Sequence, residues 1–440
     1  MQLEVSVLGK PVATLDSPTG FEHVLTYYPG LNAEDFVSLL MPVQTKSYSY
    51  PELHPLFQMN LPEGFLLSIL QEQLGPHIGA SPLSLLSVIG RNMIGRVQVS
   101  APGANLDVAP SSIEVKEILK GDNGEEAFID LVKKYATSGV SGVVPKFLSP
   151  EAKRQFLKAS VATPRYIIKG SSQKLPYLAL NEHLSMEVSR TAGFDTAKTE
   201  VSEDGQALLV HRFDVNEVTG TRLGMEDICS LLLLRPAQKY EATWERVVKQ
   251  VKAFVPTENR QMELEKLIGT LLLTYALGNA DCHAKNLALL YTSFEDVRVA
   301  PVYDMLSITV YDDYAKNPPG LSISGRKTWH PGKTLQQFAQ IQAGIKPADF
   351  KLLLERICDA IVKVTPEVMA HAKDKSGFRE VGKRMVHRWN EGINSLTYKT
   401  SILVPDLKVN LDAAGFSEVV IAKPVKPEKI GKSSLLASKK

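Results

Sequence analysis

The stretch Gly278–Leu290, reading GNADCHAKNLALL, limits what this chain can be more than any other part of it. Asp281 stands five residues before Asn286, with a histidine and a lysine between them. The apolar segment Leu267–Leu277 precedes this loop, and the short apolar run Leu287–Tyr291 follows it. Eighteen residues after Asn286, a second isolated acid, Asp304, interrupts the run Val302–Leu306. The pattern predicts a helix, a polar loop, a strand and then a lone carboxylate. A loop carboxylate can take a proton from a hydroxyl. An asparagine and a further carboxylate offer the hard oxygens that Mg2+ prefers. Together they have the layout of a kinase catalytic centre, in which a phosphoryl group in transit must be positioned and its charge neutralised.

Composition sets the frame. A chain of 440 residues has material for two or three domains. Hydrophobic content of 44% and charged content of 22% are those of an ordinary globular protein. A net charge of +2 gives no global drive towards nucleic acid or membrane. Three scattered cysteines, Cys229, Cys282 and Cys358, argue against a disulfide framework and suit a reducing compartment. The longest uncharged helical stretch, Leu267–Ala280, has 14 residues, short of the ~20 needed to span a bilayer. The amino terminus MQLEVSVLGK alternates like a strand and lacks a signal-peptide pattern. The expected location is the cytoplasm, with no membrane association.

The front of the chain reads as strands and turns: Gln2–Leu8 and Glu22–Tyr28 as strands, Leu61–Leu74 as a helix opening on Pro62 and Glu63. Ile89–Val99 holds two Gly-Arg pairs, whose Arg91 and Arg96 read as solvated turn residues, and then an alternating strand. Ala101–Ser112, rich in Ala, Pro and Ser, reads as a linker. Next comes ATSGVSGVVPKFL, where Gly139 and Gly142 sit among small residues before Lys146. Such a turn can bring backbone N–H groups close to phosphate oxygens, or can be only a turn. Pro164–Lys169, PRYIIK, is an apolar strand ending in lysine, like the strand that orients nucleotide phosphates in kinases. Glu182, thirteen residues on in a helix-like stretch, either pairs with Lys169 or is a solvated first-turn residue. Ala207–Asp214 is a strand turning polar at His211, and Val210, His211 and Phe213 suit either an adenine wall or an ordinary core strand.

Beyond that strand, helical spacing dominates: Glu226–Leu234, Thr243–Val255, Arg260–Ala280, Leu335–Gly344, Pro347–Val364, Pro366–Lys373 and Glu380–Leu396. Pro347 and Pro366 both read as first-turn residues. The last stretch, Lys423–Lys440, has six lysines and one acid and reads as a solvated tail. The expected fold class is α+β: a two-lobed, protein-kinase-like arrangement with a small mixed front and a helical back. Boundaries are expected near residues 110, 220 and 400, with the basic extension last.

Taken together, these strings resemble the HipA family, serine/threonine kinases that act as toxins of bacterial toxin–antitoxin pairs. NLPEGF and LLSVIGRNMIGRV are similar to its amino-terminal domain, and SGVVPK to its glycine loop. NEH, HRFD, MEDICS with KYE, DCHAKN and PVYDMLS follow in family order, and the resemblance rests chiefly on DxHAKN and P-x-YD. It implies that Asp281 is the catalytic base and that Asn286 and Asp304 are Mg2+ ligands. Lys169 would then touch the phosphates of ATP, while Val140, Ser141, Gly142 and Val143 lie over them. His211 and Phe213 would line the adenine pocket beside Val210, and His283 would brace the catalytic loop. Lys285 would either steady the transferred phosphate or be a surface lysine. The family also silences itself by phosphorylating a glycine-loop serine, which here points to Ser141 first and Ser138 second. Gly139 stands where several relatives carry that serine, and Val144 where a glutamine is usual. The implied partners are a HipB-like helix-turn-helix antitoxin, operator DNA reached mainly through it, and a substrate in the translation machinery such as an aminoacyl-tRNA synthetase. Two rival readings stay open: a non-catalytic kinase-fold co-repressor, and a small-molecule kinase.

Overall fold

The computed structural model describes residues 1–18, 20, 22–61, 81–106, 115–138, 159–216 and 218–398. The stretch read as the helix Leu61–Leu74, the glycine loop beyond Ser138 and the basic tail lie outside these residues, Leu61 excepted.

Strands β1 (Gln2–Val7), β2 (Lys10–Asp16), β3 (His23–Tyr27), β4 (Tyr48–Tyr50) and β5 (Val97–Ser100) form one antiparallel sheet in the order β4-β3-β2-β1-β5. The first hairpin closes through Leu8 and Gly9, both at positive φ (51° and 79°), the twist that matches paired strands. Leu3, Val5, Val12, Leu15, Phe57 and Val99 fill a core under this sheet that is separate from the main one. A second antiparallel sheet runs β6-β7-β9-β8, from Ala159–Ala162, Tyr166–Gly170, Ala207–His211 and Thr199–Val201. Its register sets Lys169 opposite Leu208. The helix Leu178–Thr191 packs on this sheet and on the long helix Pro347–Asp374.

The helical back is centred on Thr257–Leu277, buried continuously from Leu267 to its end. It has no polar face there because other elements surround it. Trp244–Phe254, Gly332–Ala343 and Arg379–Thr397 pack against it. The last of these approaches so closely that a Cβ on Gly392 would stand 1.9 Å from the carbonyl oxygen of Ala276. Gly392→Ala is therefore expected to destabilise the protein by about 2 kcal/mol, overpacking outweighing the ~1 kcal/mol gain in helix propensity. A urea midpoint equal to or above wild type would contradict this contact. No helix among the described residues is long and apolar enough to cross a membrane.

Three readings of the chain need correction. Pro366 does not open a helix, because Pro347–Asp374 runs through it as one piece. The proline sits on the exposed face, while Ile361, Val364, Val368 and Met369 on either side are buried. Burial of that stripe outweighs the one backbone bond a proline removes. Glu226 and Asp227 end strand β10 (Gly224–Asp227), and only Ile228–Leu231 is helical, because that strand pairs with β11 (Ala288–Tyr291). Arg96 is not solvated but 2% exposed. Its guanidinium lies 4.1 Å from the Phe36 ring centroid and donates to the carbonyls of Phe36 and Thr292 at 2.9 and 2.6 Å.

Candidate active site

The helix Thr257–Leu277 stops at Gly278, whose φ of +71° reverses the chain. A side chain there would also strike Arg388 and Thr309, 2.3 and 2.4 Å from an added Cβ. The loop carrying Asp281 and Asn286 begins at this fixed point. Asn279, 1% exposed, accepts from the Asp281 amide at 3.1 Å and donates to the Asp304 carbonyl at 3.2 Å. Asn286 donates its Nδ2 to the Asp281 carbonyl at 3.0 Å, which closes the loop across five residues. β11 then pairs with β12 (Arg298–Val299), and the chain returns to Asp304. Asp304 has a φ of +53°. A non-glycine residue in that left-handed region costs about 1–3 kcal/mol, and such strain collects at functional sites.

The second sheet supplies the cation. Lys169 Nζ donates to Glu182 Oε1 at 2.6 Å and pairs with Asp304 Oδ1 as well. Of the two readings of Glu182, the pairing with Lys169 is the one formed. Burial alone would depress the Lys169 pKa, but the two carboxylates outweigh it and hold the ammonium above its ordinary range. His211 Nε2 lies 2.6 Å from Glu200 Oε1, with its ring edge-on to Tyr166. Val210 is in the core, and Phe213 packs against Tyr303 with ring centroids 5.4 Å apart. Tyr303 in turn donates to the Lys285 carbonyl at 2.7 Å and so braces the loop that carries Asp281 and Asn286.

The remaining candidates fall as follows. His283 is 6% exposed, and burial pushes its pKa down to about 4, so it is a neutral ring at physiological pH. Cys282 is buried and its thiol is pushed up to about 12, which makes it unreactive. Lys285 is half-buried beside His283. Ser138 ends the helix Glu125–Ser138, while Val140, Ser141, Gly142 and Val143 lie outside the described residues. Among the described residues no cluster of three or more His, Cys, Asp or Glu is placed to hold a metal. Asp304 and Asn286, the expected ion ligands, offer one carboxylate and one amide. Sequence reasoning missed Asn279, the bracing role of Tyr303, and Tyr240, whose hydroxyl donates to Asp281 Oδ1 at 2.5 Å. The signal for Tyr240 was the string KYE, which carried no role until its fold partner was visible.

A mixed small lobe with a lysine–glutamate pair, facing a helical lobe with an Asp/Asn loop and a later Asp, defines a two-lobed, kinase-like protein. The description HipA N-terminal domain matches residues 3–100, and HipA-like C-terminal domain matches residues 138–365. The chain belongs to the HipA family. It is 28% identical over 193 residues to a putative kinase of Haemophilus influenzae, covering 41% of this chain and 56% of that protein, little more than half its length. It is 25% identical over 339 residues to the putative kinase Y4dM of Sinorhizobium fredii, covering 70% of this chain and 78% of that one. The fold matches that of a chain in the complex of Shewanella oneidensis MR-1 HipA, HipB and operator DNA. The TM-score is 0.68 at 18% identity, over 91% of this chain and 100% of that one.

Proposed function

We propose that the chain is an ATP- and Mg2+-dependent protein serine/threonine kinase, working in the cytoplasm as the toxin of a HipA/HipB-type pair. The observation that carries this reading is the ion-paired group Lys169–Glu182–Asp304 beside the loop of Asp281 and Asn286. The donor set suits Mg2+, which keeps several waters and takes few protein ligands when phosphates supply the rest. Asp304 offers a carboxylate. Asn286 commits its Nδ2 to a carbonyl, so the amide oxygen is the atom it can give a cation. Mg2+, when bound, supplies charge neutralisation on the phosphates.

The chain's own residues do the rest. Lys169, kept charged by two carboxylates, contacts phosphate oxygens, and Glu182 holds it in place when it does. Asp281 accepts the proton of the acceptor hydroxyl, and Lys285 steadies the group in transit. Val210, His211 and Phe213 border the adenine, His283 packs behind the loop, and Val140–Val143 cover the phosphates. Phosphorylation of Ser141, with Ser138 second, would add up to about two negative charges beside those phosphates and repel them. The Shewanella neighbour was solved with HipB and operator DNA. By that analogy the partner here is a HipB-like antitoxin, with operator DNA met mainly through it and the operon co-repressed. The family precedent favours a substrate in translation, an aminoacyl-tRNA synthetase first. The same reading divides the chain near residues 110, 220 and 400.

Intact mass of the full-length, phosphatase-treated protein with Mg-ATP tests this directly. A phosphate-sized gain that EDTA abolishes, mapped to Ser141 or Ser138, is the expected result. No gain together with no nucleotide binding overturns the reading in favour of a kinase-fold scaffold.

A further inference from the structure

We propose that Tyr240 is a positioning residue for Asp281, a role that rests on the kinase reading above. The loop's backbone bonds fix where Asp281 starts, through Asn279 at its amide and Asn286 at its carbonyl. They do not fix the carboxylate, because χ2 of an aspartate is broad and nearly two-fold. The Tyr240 hydroxyl reaches the carboxylate itself, donating to Oδ1 at 2.5 Å, a charge-assisted bond of the short kind.

Tyr240 is itself held from both sides. The Lys239 carbonyl before it accepts from the Ala284 amide of the catalytic loop at 3.0 Å. Its own carbonyl accepts from Lys327 Nζ at 2.6 Å. Its ring stands edge-on to His283, with centroids 4.9 Å apart. The buried, uncharged His283 gives that ring a firm wall. The two carbonyl bonds fix the backbone of Tyr240 beside the loop and the His283 ring walls its side chain, so the phenol acts as part of the loop although 41 residues separate it from Asp281. In this position it aims the carboxylate and keeps water off one of its oxygens.

The test uses Tyr240→Phe in the full-length, phosphatase-treated protein with Mg-ATP. Self-phosphorylation is followed by intact mass and ATP hydrolysis by release of inorganic phosphate. Phenylalanine keeps the ring against His283 and removes only the hydroxyl. The rate of self-phosphorylation is expected to fall about ten- to a hundredfold, with KM for ATP within about twofold of wild type. Hydrolysis is expected to fall less, so the ratio of hydrolysis to transfer rises as water reaches the uncovered oxygen. Tyr240→Ala should move the ratio the same way. An unchanged rate, an equal fall of both reactions, or phosphate mapped to Tyr240 itself would overturn the role. If wild type is active and Tyr240→Phe matches it, only this proposal falls. If wild type is inert towards Mg-ATP and does not bind nucleotide, the kinase reading falls and takes this role with it.

Discussion

Asp281→Asn is expected to lose about 10²–10⁴-fold in phosphotransfer rate while binding ATP as wild type does. The substitution keeps size and shape, and the backbone bonds from Asn279 and Asn286 do not involve the carboxylate. The capacity to take a proton is removed together with the negative charge. Lys169→Met should fail differently. It removes the cation that two carboxylates share, so Glu182 and Asp304 lose their common partner and, on the proposed reading, the phosphates lose a positive contact. Nucleotide affinity should then collapse along with the rate. Isothermal titration with a non-hydrolysable ATP analogue, beside the initial rate, separates the two cases. Equal ATP affinity in both variants would remove Lys169 from the phosphate site.

The largest effect on stability is expected at Arg212. Its side chain is fully buried and chelates Asp214 through Nε and Nη2 at 3.0 and 2.6 Å. It also donates to the Thr163 and Met93 carbonyls at 3.2 and 3.0 Å and to Asn92 Oδ1 at 3.2 Å. Asp214 accepts in turn from the Gly95 amide at 2.7 Å. Burial alone would raise the Asp214 carboxyl, but Arg212 and that amide hold it below its usual range. Arg212→Met strips a buried carboxylate of its partner and should cost about 3–5 kcal/mol. That is a large share of the 5–15 kcal/mol typical of a folded protein. The double variant Arg212→Met with Asp214→Leu should recover part of it. A denaturant midpoint for the single variant near that of wild type would rule the network out as a stabilising element.

Much of the candidate site's arrangement was legible because the phosphoryl transfer proposed for it restricts both residue type and local spacing. Asp281 and Asn286 share one loop, and Asp304 stands as a lone acid in a short apolar run, so their order along the chain already indicated which would meet. Lys169 was legible as the end of a strand, whereas Glu182 stayed open between a partner of Lys169 and a solvated first-turn residue until the helix was seen to bury it. Tyr240 and Asn279 were not, because their roles depend on what tertiary packing sets beside them. Arg96 misled for a physical reason. A Gly-Arg pair resembles a turn, and nothing local announces that Phe36 and Tyr291, far away in sequence, provide aromatic faces for the guanidinium. HRFD was read for His211 and Phe213, yet Arg212 and Asp214 between and beside them anchor the strand's end to Asn92–Gly95. Pro366 misled in the opposite sense. A strong local signal was overridden by the apolar stripe on the far side of its helix.

Asn279 has a consequence for how the two acids behave together. One amide, accepting at its oxygen and donating at its nitrogen, ties the start of the Asp281 loop to the backbone of Asp304. The backbones of the two acids therefore share a reference frame. A carboxylate side chain at this position could not reproduce the tie, since it has no hydrogen to give the Asp304 carbonyl. The main chains of the two acids are thus held together across the length of one small side chain.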